Sequence, residues 1–446
     1  MVANLPTFLK RCKLRKERLK LRASVDGIAP PKAQGRCMTM RRIFWWAMLS
    51  GVLTIATNLS AQSSLEVPLS FHPFQNPDEA ILLSLGGVVD SLSSRPPKGY
   101  RAPSGVSLPH FFALSLESGT LVGMVAKSSP SAKDPDRLWL DWNGDKNFTG
   151  DEKLMGTAQR KGNERFVVFG PVKHPFGDGQ LEGLFILHDG DHLHLLPTGY
   201  YEGEVTLGER KVKIGIADTN LNGKLGDRTG GMEQEGDALL VDFDGDGTFG
   251  SPADLALGAV ESLEAEVYYL TALTQMPDGN FYRLKVAEDG SRLWLTREDL
   301  PTGKVRMACE RFLLGLTGEG GVLLVRGRDS EATLPVGSYQ VFWVVMGKAH
   351  GQGKIWRAML IFARKSARLR VAAEKITDLP FGPPFKLNLS AEPSGREWNF
   401  SLTLEDKAGN ELTGVSTPDG KRPPEPTLTI TDAQGKVIKT EKFHYG

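Results

Sequence analysis

The chain has 446 residues, with 54 Lys and Arg against 53 Asp and Glu, a formal net charge of +1. That balance excludes nucleic acid as the main partner, because a polyanion needs a basic face to neutralise its phosphates. Hydrophobic residues at 40% suffice for packed cores, and 50 Gly with 27 Pro suit many short strands joined by turns.

The first 61 residues read as a leader. Met40-Arg41-Arg42 precedes an uncharged apolar run, Ile43 to Ala56, which is the charged start and apolar middle of a secretory signal. Cleavage is expected near Ala61-Gln62, although Leu59 is a poor residue three places before the cut. Left uncleaved, the run would be a single N-terminal anchor, and no other stable membrane span is expected. No Cys follows the run to carry a lipid. In front of it, Lys10 to Arg22 is strongly basic. That stretch is either a nucleic-acid or membrane arm or the product of an over-long start. A start at Met38 or Met40 is preferred, since a signal begins close to its charged residues. The expected destination is secreted or cell-envelope. Cys12 and Cys37 fall in the leader, so Cys309 stands alone in the mature chain. It cannot form an internal disulfide and reads as a buried structural thiol.

The rest is too long for one small core. It divides at 62–200, 201–262, 263–330 and 331–446. The fold class is mainly β: several sandwich-like or sheet domains, with acidic loops at strand ends and little helix. The best helical stretch is Pro77 to Leu92, with Ala80, Leu83, Leu85 and Val88 apolar. Residues 93–109 are a Ser, Pro and Gly loop. Leu138-Trp-Leu140, Val205-Thr-Leu207, Val212 to Ile216 and Ser401 to Leu404 alternate as strands. A hairpin joins Glu202–Leu207 to Lys211–Ile216. Turns are expected at Pro277-Asp-Gly279 and Glu288-Asp-Gly290. Pro380 to Phe385 and Pro418 to Pro426 break the C-terminal β region.

Chemistry concentrates between Asp141 and Asp254, where one acidic pattern occurs three times. The first copy has Asp141, Asn143 and Asp145, then Asn147, Phe148 and Glu152. The second has Asp218, Asn220 and Asn222, then Gly223, Lys224, Leu225 and Asp227. The third has Asp242, Asp244 and Asp246, then Gly247, Thr248 and Phe249. Oxygen side chains at positions 1, 3 and 5 of a curved loop point at one centre, as a hard cation such as Ca2+ requires. Lys224 and Thr248 would offer position-7 carbonyls. The apolar residues at position 8 would pack each loop on its sheet. Lys146 departs from the glycine expected at position 6, which puts the first loop's turn in question. Position 12 carries a carboxylate only in the first loop. Asp227 or Asp237 would close the second loop and Asp254 the third. Solvated Asx-turns are the plain alternative for any one copy, but three in one register favour calcium at one loop or more.

The three loops resemble the EF-hand signature and the acidic repeats of secreted bacterial calcium proteins, over Asp141 to Asp254. The resemblance implies calcium as the cofactor. It departs from helix–loop–helix, because Arg137 to Leu140, Lys213 to Ile216 and Leu239 to Val241 alternate as strands. Leu334 to Val341 and Leu428 to Ile438 resemble strands of transthyretin-like or carboxypeptidase-regulatory β modules. That second resemblance implies a sandwich without chemistry of its own.

His188-Asp-Gly-Asp-His192-Leu-His194 invites a zinc reading but lacks a third ligand. A two-residue Asp189-Gly190 hairpin turn is preferred, with His194 opposite Phe185. The expected function is a calcium-stabilised scaffold, not an enzyme. It would serve adhesion or bind an envelope or extracellular protein or polysaccharide. The rival is an extracellular hydrolase or carbohydrate-active protein in which calcium is structural.

Overall fold

A computed structural model describes residues 8–13, 20–24, 64–74, 88–89, 92–116, 119–141, 143–148, 153–161, 164–172, 184–188, 193–229, 236–249, 263, 266–350, 355–361, 367–394, 397–418 and 421–444. Among these there is no helix, and the strands fall into seven sheets. The mainly β class follows from short alternating segments whose apolar face needs a second sheet to cover it.

Three units position the acidic loops. In the N-terminal sandwich, a four-stranded sheet (Ser107–Leu116, Gly119–Lys127, Arg137–Leu140, Lys153–Met155) faces a five-stranded one built on Glu164–Val172, Leu184–His188 and Leu193–Pro197. Phe112, Leu121, Leu138, Phe169 and Ile186 fill its core. In the central sandwich, Gly199–Leu207, Arg210–Ala217, Ala238–Val241 and Val267–Tyr269 pair in sequence. They face a sheet of Leu273–Gln275, Phe281–Val286 and Arg292–Glu298. Val67, Ile214, Leu239, Leu284 and Leu295 are among the core residues between them. One early segment serves both layers: Ser64–Pro68 pairs with Arg292–Glu298, and Ser70–Pro73 with Gly199–Leu207. Residues 201–262 are therefore not a unit by themselves. The third unit is a nine-stranded sheet spanning Thr302–Arg306 to Gly414–Ser416, which curls over one interior including Val305, Leu334, Val344 and Phe381.

Two hairpins close the chain, Lys386–Ser394 with Glu397–Glu405 and Thr427–Thr431 with Val437–Lys442. Phe400, Leu402, Leu428, Ile430 and Phe443 pack between them. Phe8–Lys13 adds to the first hairpin and Lys20–Ser24 to the second. The sequence reading gives those basic stretches no fold, whereas each hairpin edge offers unpaired backbone groups that an extended segment can satisfy.

Several local expectations are corrected. Val88–Val89, inside the stretch read as helix, is a strand on Leu193 and His194. The preceding Gly86-Gly87 pair disfavours helix and the valines favour extended backbone. Of the rest of that helix expectation, residues 77–87, 90 and 91 lie outside the described residues. The histidine hairpin has a longer turn than two residues: His188 pairs with Leu193 and His194 with Leu187. His188 is buried, not solvent-facing, and His192 lies outside the described residues. Leu334 to Val341 is two strands broken at Val336, between Pro335 and Gly337. The turns at Gly279 and Gly290 stand as expected, both glycines having positive φ. Cys309 is half-buried against the third unit's core, and burial pushes its thiol up to about 12, far from nucleophilic.

Candidate metal centre

Each acidic loop begins where a strand ends: Asp141 follows Arg137–Leu140, Asp218 follows Arg210–Ala217, and Asp242 follows Ala238–Val241. The ladder continues into the first loop residue, since the Asp141 N–H donates to Val122 (2.9 Å) and the Asp242 N–H to Lys213 (3.0 Å). That pairing carries the position-1 carboxylates under cover. Asp141, Asp218 and Asp242 are buried, while Asn143, Asp145, Asp244 and Asp246 are exposed.

The three loops share one hydrogen-bond scheme. The position-1 Oδ2 accepts the position-6 N–H, from Lys146 (3.2 Å), Gly223 (2.9 Å) and Gly247 (3.0 Å). At position 3, Asn143, Asn220 and Asp244 accept the N–H of position 5 at 2.9, 3.2 and 3.0 Å. At position 5, Asp145, Asn222 and Asp246 accept the N–H of position 7, from Asn147, Lys224 and Thr248, at 2.7, 2.9 and 2.7 Å. The backbone is left-handed at positions 4 and 6 throughout: Gly144, Leu221 and Gly245, then Lys146, Gly223 and Gly247. Lys146 takes this conformation at φ 65°, so its departure from glycine does not change the first loop's turn. The position-8 residues Phe148, Leu225 and Phe249 are buried. Phe148 packs with Phe111 and Tyr100, Leu225 enters the central core, and Phe249 meets Tyr200 edge-on at 5.6 Å.

The third loop is where acidic groups converge. Ligand atoms of Asp242, Asp244, Asp246 and Glu266 all lie within 4.8 Å of one another, so this group could hold a metal ion. Glu266 is buried, and its Oε1 accepts the N–H groups of Phe243 (2.6 Å) and Asp244 (3.2 Å). Burial pushes its carboxyl up to about 7, with the Asp244 and Asp242 charges adding. Sequence spacing misses Glu266. It arrives through pairing of Val267–Tyr269 on Ala238–Val241, where the Val241 N–H donates to the Glu266 carbonyl at 2.7 Å. Asp254, the expected closing residue, lies outside the described residues, as does Glu152 of the first loop.

In the second loop both candidate closing carboxylates are present. Asp227 Oδ2 accepts from the Asn220 and Asn222 carboxamides at 3.1 and 2.5 Å. Asp237 Oδ2 accepts the N–H groups of Gly226 (2.6 Å) and Asp227 (2.8 Å). Burial, then the neighbouring Asp218 charge, pushes Asp237 up to about 8. Asp218 itself is pushed up to about 6 by burial, with the Asp227 charge adding. In the first loop, Asp141 Oδ2 also accepts from the Tyr100 hydroxyl at 2.6 Å, and its buried Oδ1 has no partner.

Oxygen ligands at this spacing suit a hard cation. No family model, curated protein or solved structure matches the chain.

Proposed function

We propose that the chain is an exported calcium-binding β protein whose third acidic loop, closed by Glu266, holds the ion. The observation that carries this reading is the meeting of four carboxylates from two neighbouring strand ends, two of them, Asp242 and Glu266, buried. Buried carboxylates that repel one another are costly unless a cation compensates them. An oxygen-only set of protein ligands favours calcium, since magnesium keeps several waters and a strict octahedron. Calcium then supports a multi-domain scaffold that binds an envelope or extracellular protein or polysaccharide, with no catalysis of its own.

Thermal melts of the purified protein in chelator and in millimolar calcium test this. An ion held only by the folded state raises the melting temperature by mass action. Affinity is expected on the order of 10⁻⁴ to 10⁻³ M, as in other extracellular modules. Asp244→Ala removes an anionic ligand and should weaken binding more than Asn220→Ala, which removes a neutral one. Identical melts in chelator and calcium would sink the reading.

A further inference from the structure

The second loop touches two cores at once. Leu221, at position 4, is buried in the N-terminal sandwich among residues such as Phe112, Leu140 and Val172. Leu225, at position 8, is buried in the central sandwich with Ile216 and Val286. The loop is tied to further central strands, since the Leu225 N–H donates to the Glu288 carbonyl (3.2 Å) and the Thr229 N–H to Leu270 (3.0 Å). It is thus one place at which the two sandwiches meet.

Asp237 reaches this loop from the start of Ala238–Val241. It is fully buried, and while its Oδ2 takes two loop N–H groups, its Oδ1 has no partner. Gly236 makes the approach possible: a Cβ there would lie 2.6 Å from the Thr229 nitrogen. The Thr219 hydroxyl donates to the Gly236 carbonyl at 2.7 Å and fixes the crossing. The Asn220 and Asn222 carboxamides donate to Asp227, and the Asp218 and Asp227 charges both bear on Asp237. A buried carboxylate oxygen with no donor is expensive, and a divalent cation held by the loop is a partner that would compensate it.

We propose that the second loop, closed by Asp237, is a separate calcium site whose ion clamps the N-terminal sandwich to the central one. It rests on the reading of these loops as calcium loops, but on residues distinct from those of the third. The same strand, Ala238–Val241, then carries one site at each end, beginning beside Asp237 and ending at Asp242.

Asp237→Asn tests this, because the amide oxygen can still accept from Gly226 and Asp227 while the charge is gone. Native mass spectrometry of the full chain with calcium should count one ion fewer than in the parent. Asp244→Ala should lose a different ion, so that the double variant loses two. In chelator, Asp237→Asn should melt at or above the parent, since a carboxyl that is costly to bury has been removed. Its rise in melting temperature on adding calcium should be smaller, and calcium should no longer protect residues 218–229 from hydrogen exchange. An unchanged ion count in Asp237→Asn beside a lost ion in Asp244→Ala overturns this site and spares the third. Asp237→Asn melting below the parent in chelator, with its full calcium response kept, would make Asp237 a structural residue only. A parent that binds no calcium removes both readings.

Discussion

Lys146 and Leu221 occupy left-handed positions where the matching residues of the other two loops are glycine. The two exceptions have different causes. Lys146 is exposed, so nothing in a core compensates its backbone. Lys146→Gly should stabilise the first loop by about 0.5–1 kcal/mol, the left-handed cost of a side chain less the entropy of glycine. Leu221 is buried in the N-terminal core, so Leu221→Gly relieves the backbone but empties a packed site. Burying a leucine contributes about 1.5–3 kcal/mol and its truncation leaves a cavity besides, against about 1–2 kcal/mol of backbone relief. Leu221→Gly should therefore destabilise by about 1–3 kcal/mol. Chemical denaturation of both variants checks this, and equal signs at the two positions would refute the distinction.

At the scale of the element, Ala238–Val241 and Val267–Tyr269 gather buried carboxyls at their ends, Asp237 on one and Glu266 on the other. Their folded values, about 8 and about 7, lie above an ordinary carboxyl near 4. A raised carboxyl binds its proton more tightly in the folded chain. Its contribution to stability is present below about pH 4 and is lost as pH rises through 7 and 8. Metal-stripped protein should therefore melt at a lower temperature at about pH 8 than at about pH 5.5. Calcium should restore the melting temperature at the higher pH, and Asp237→Asn should show a shallower fall. A metal-stripped parent whose melting temperature rises over this range would contradict the assignment.

For the whole molecule, the second and third acidic loops sit where units meet. The second lies between the N-terminal and central cores. The third places Phe243 edge-on to Tyr268 at 5.8 Å and under the Arg326 guanidinium, 4.2 Å from the ring centre, beside Leu313 and Trp343 of the third unit. Domain interfaces of modest size move unless something fixes them, and an ion at each junction would do so without a large apolar contact. Such a scaffold suits an extracytoplasmic setting, where calcium is millimolar and the second and third loops can fill. Material recovered after export should begin near Gln62 by N-terminal sequencing. Soluble full-length chain confined to the cytoplasm would count against export.

The turns of the three loops were legible in the sequence because they are made within seven residues: Asp and Asn accept from backbone N–H groups two and five places on, and that needs no distant partner. The apolar position-8 anchors and the strands before each loop were legible for the same reason, as was the β character of the chain. Closure of the loops was not. Glu266 lies 18 residues beyond Thr248 and meets Asp242 only because Val267–Tyr269 pairs with Ala238–Val241. The choice between Asp227 and Asp237 depends on which carboxylate oxygen is left buried without a donor, a property of packing that spacing does not carry. Likewise a leucine at position 4 of the second loop breaks the local rule, and only the neighbouring sandwich explains it. Local hydrogen bonds are set by sequence neighbours, whereas ligands and apolar contacts from other strands are set by how whole sheets cover one another.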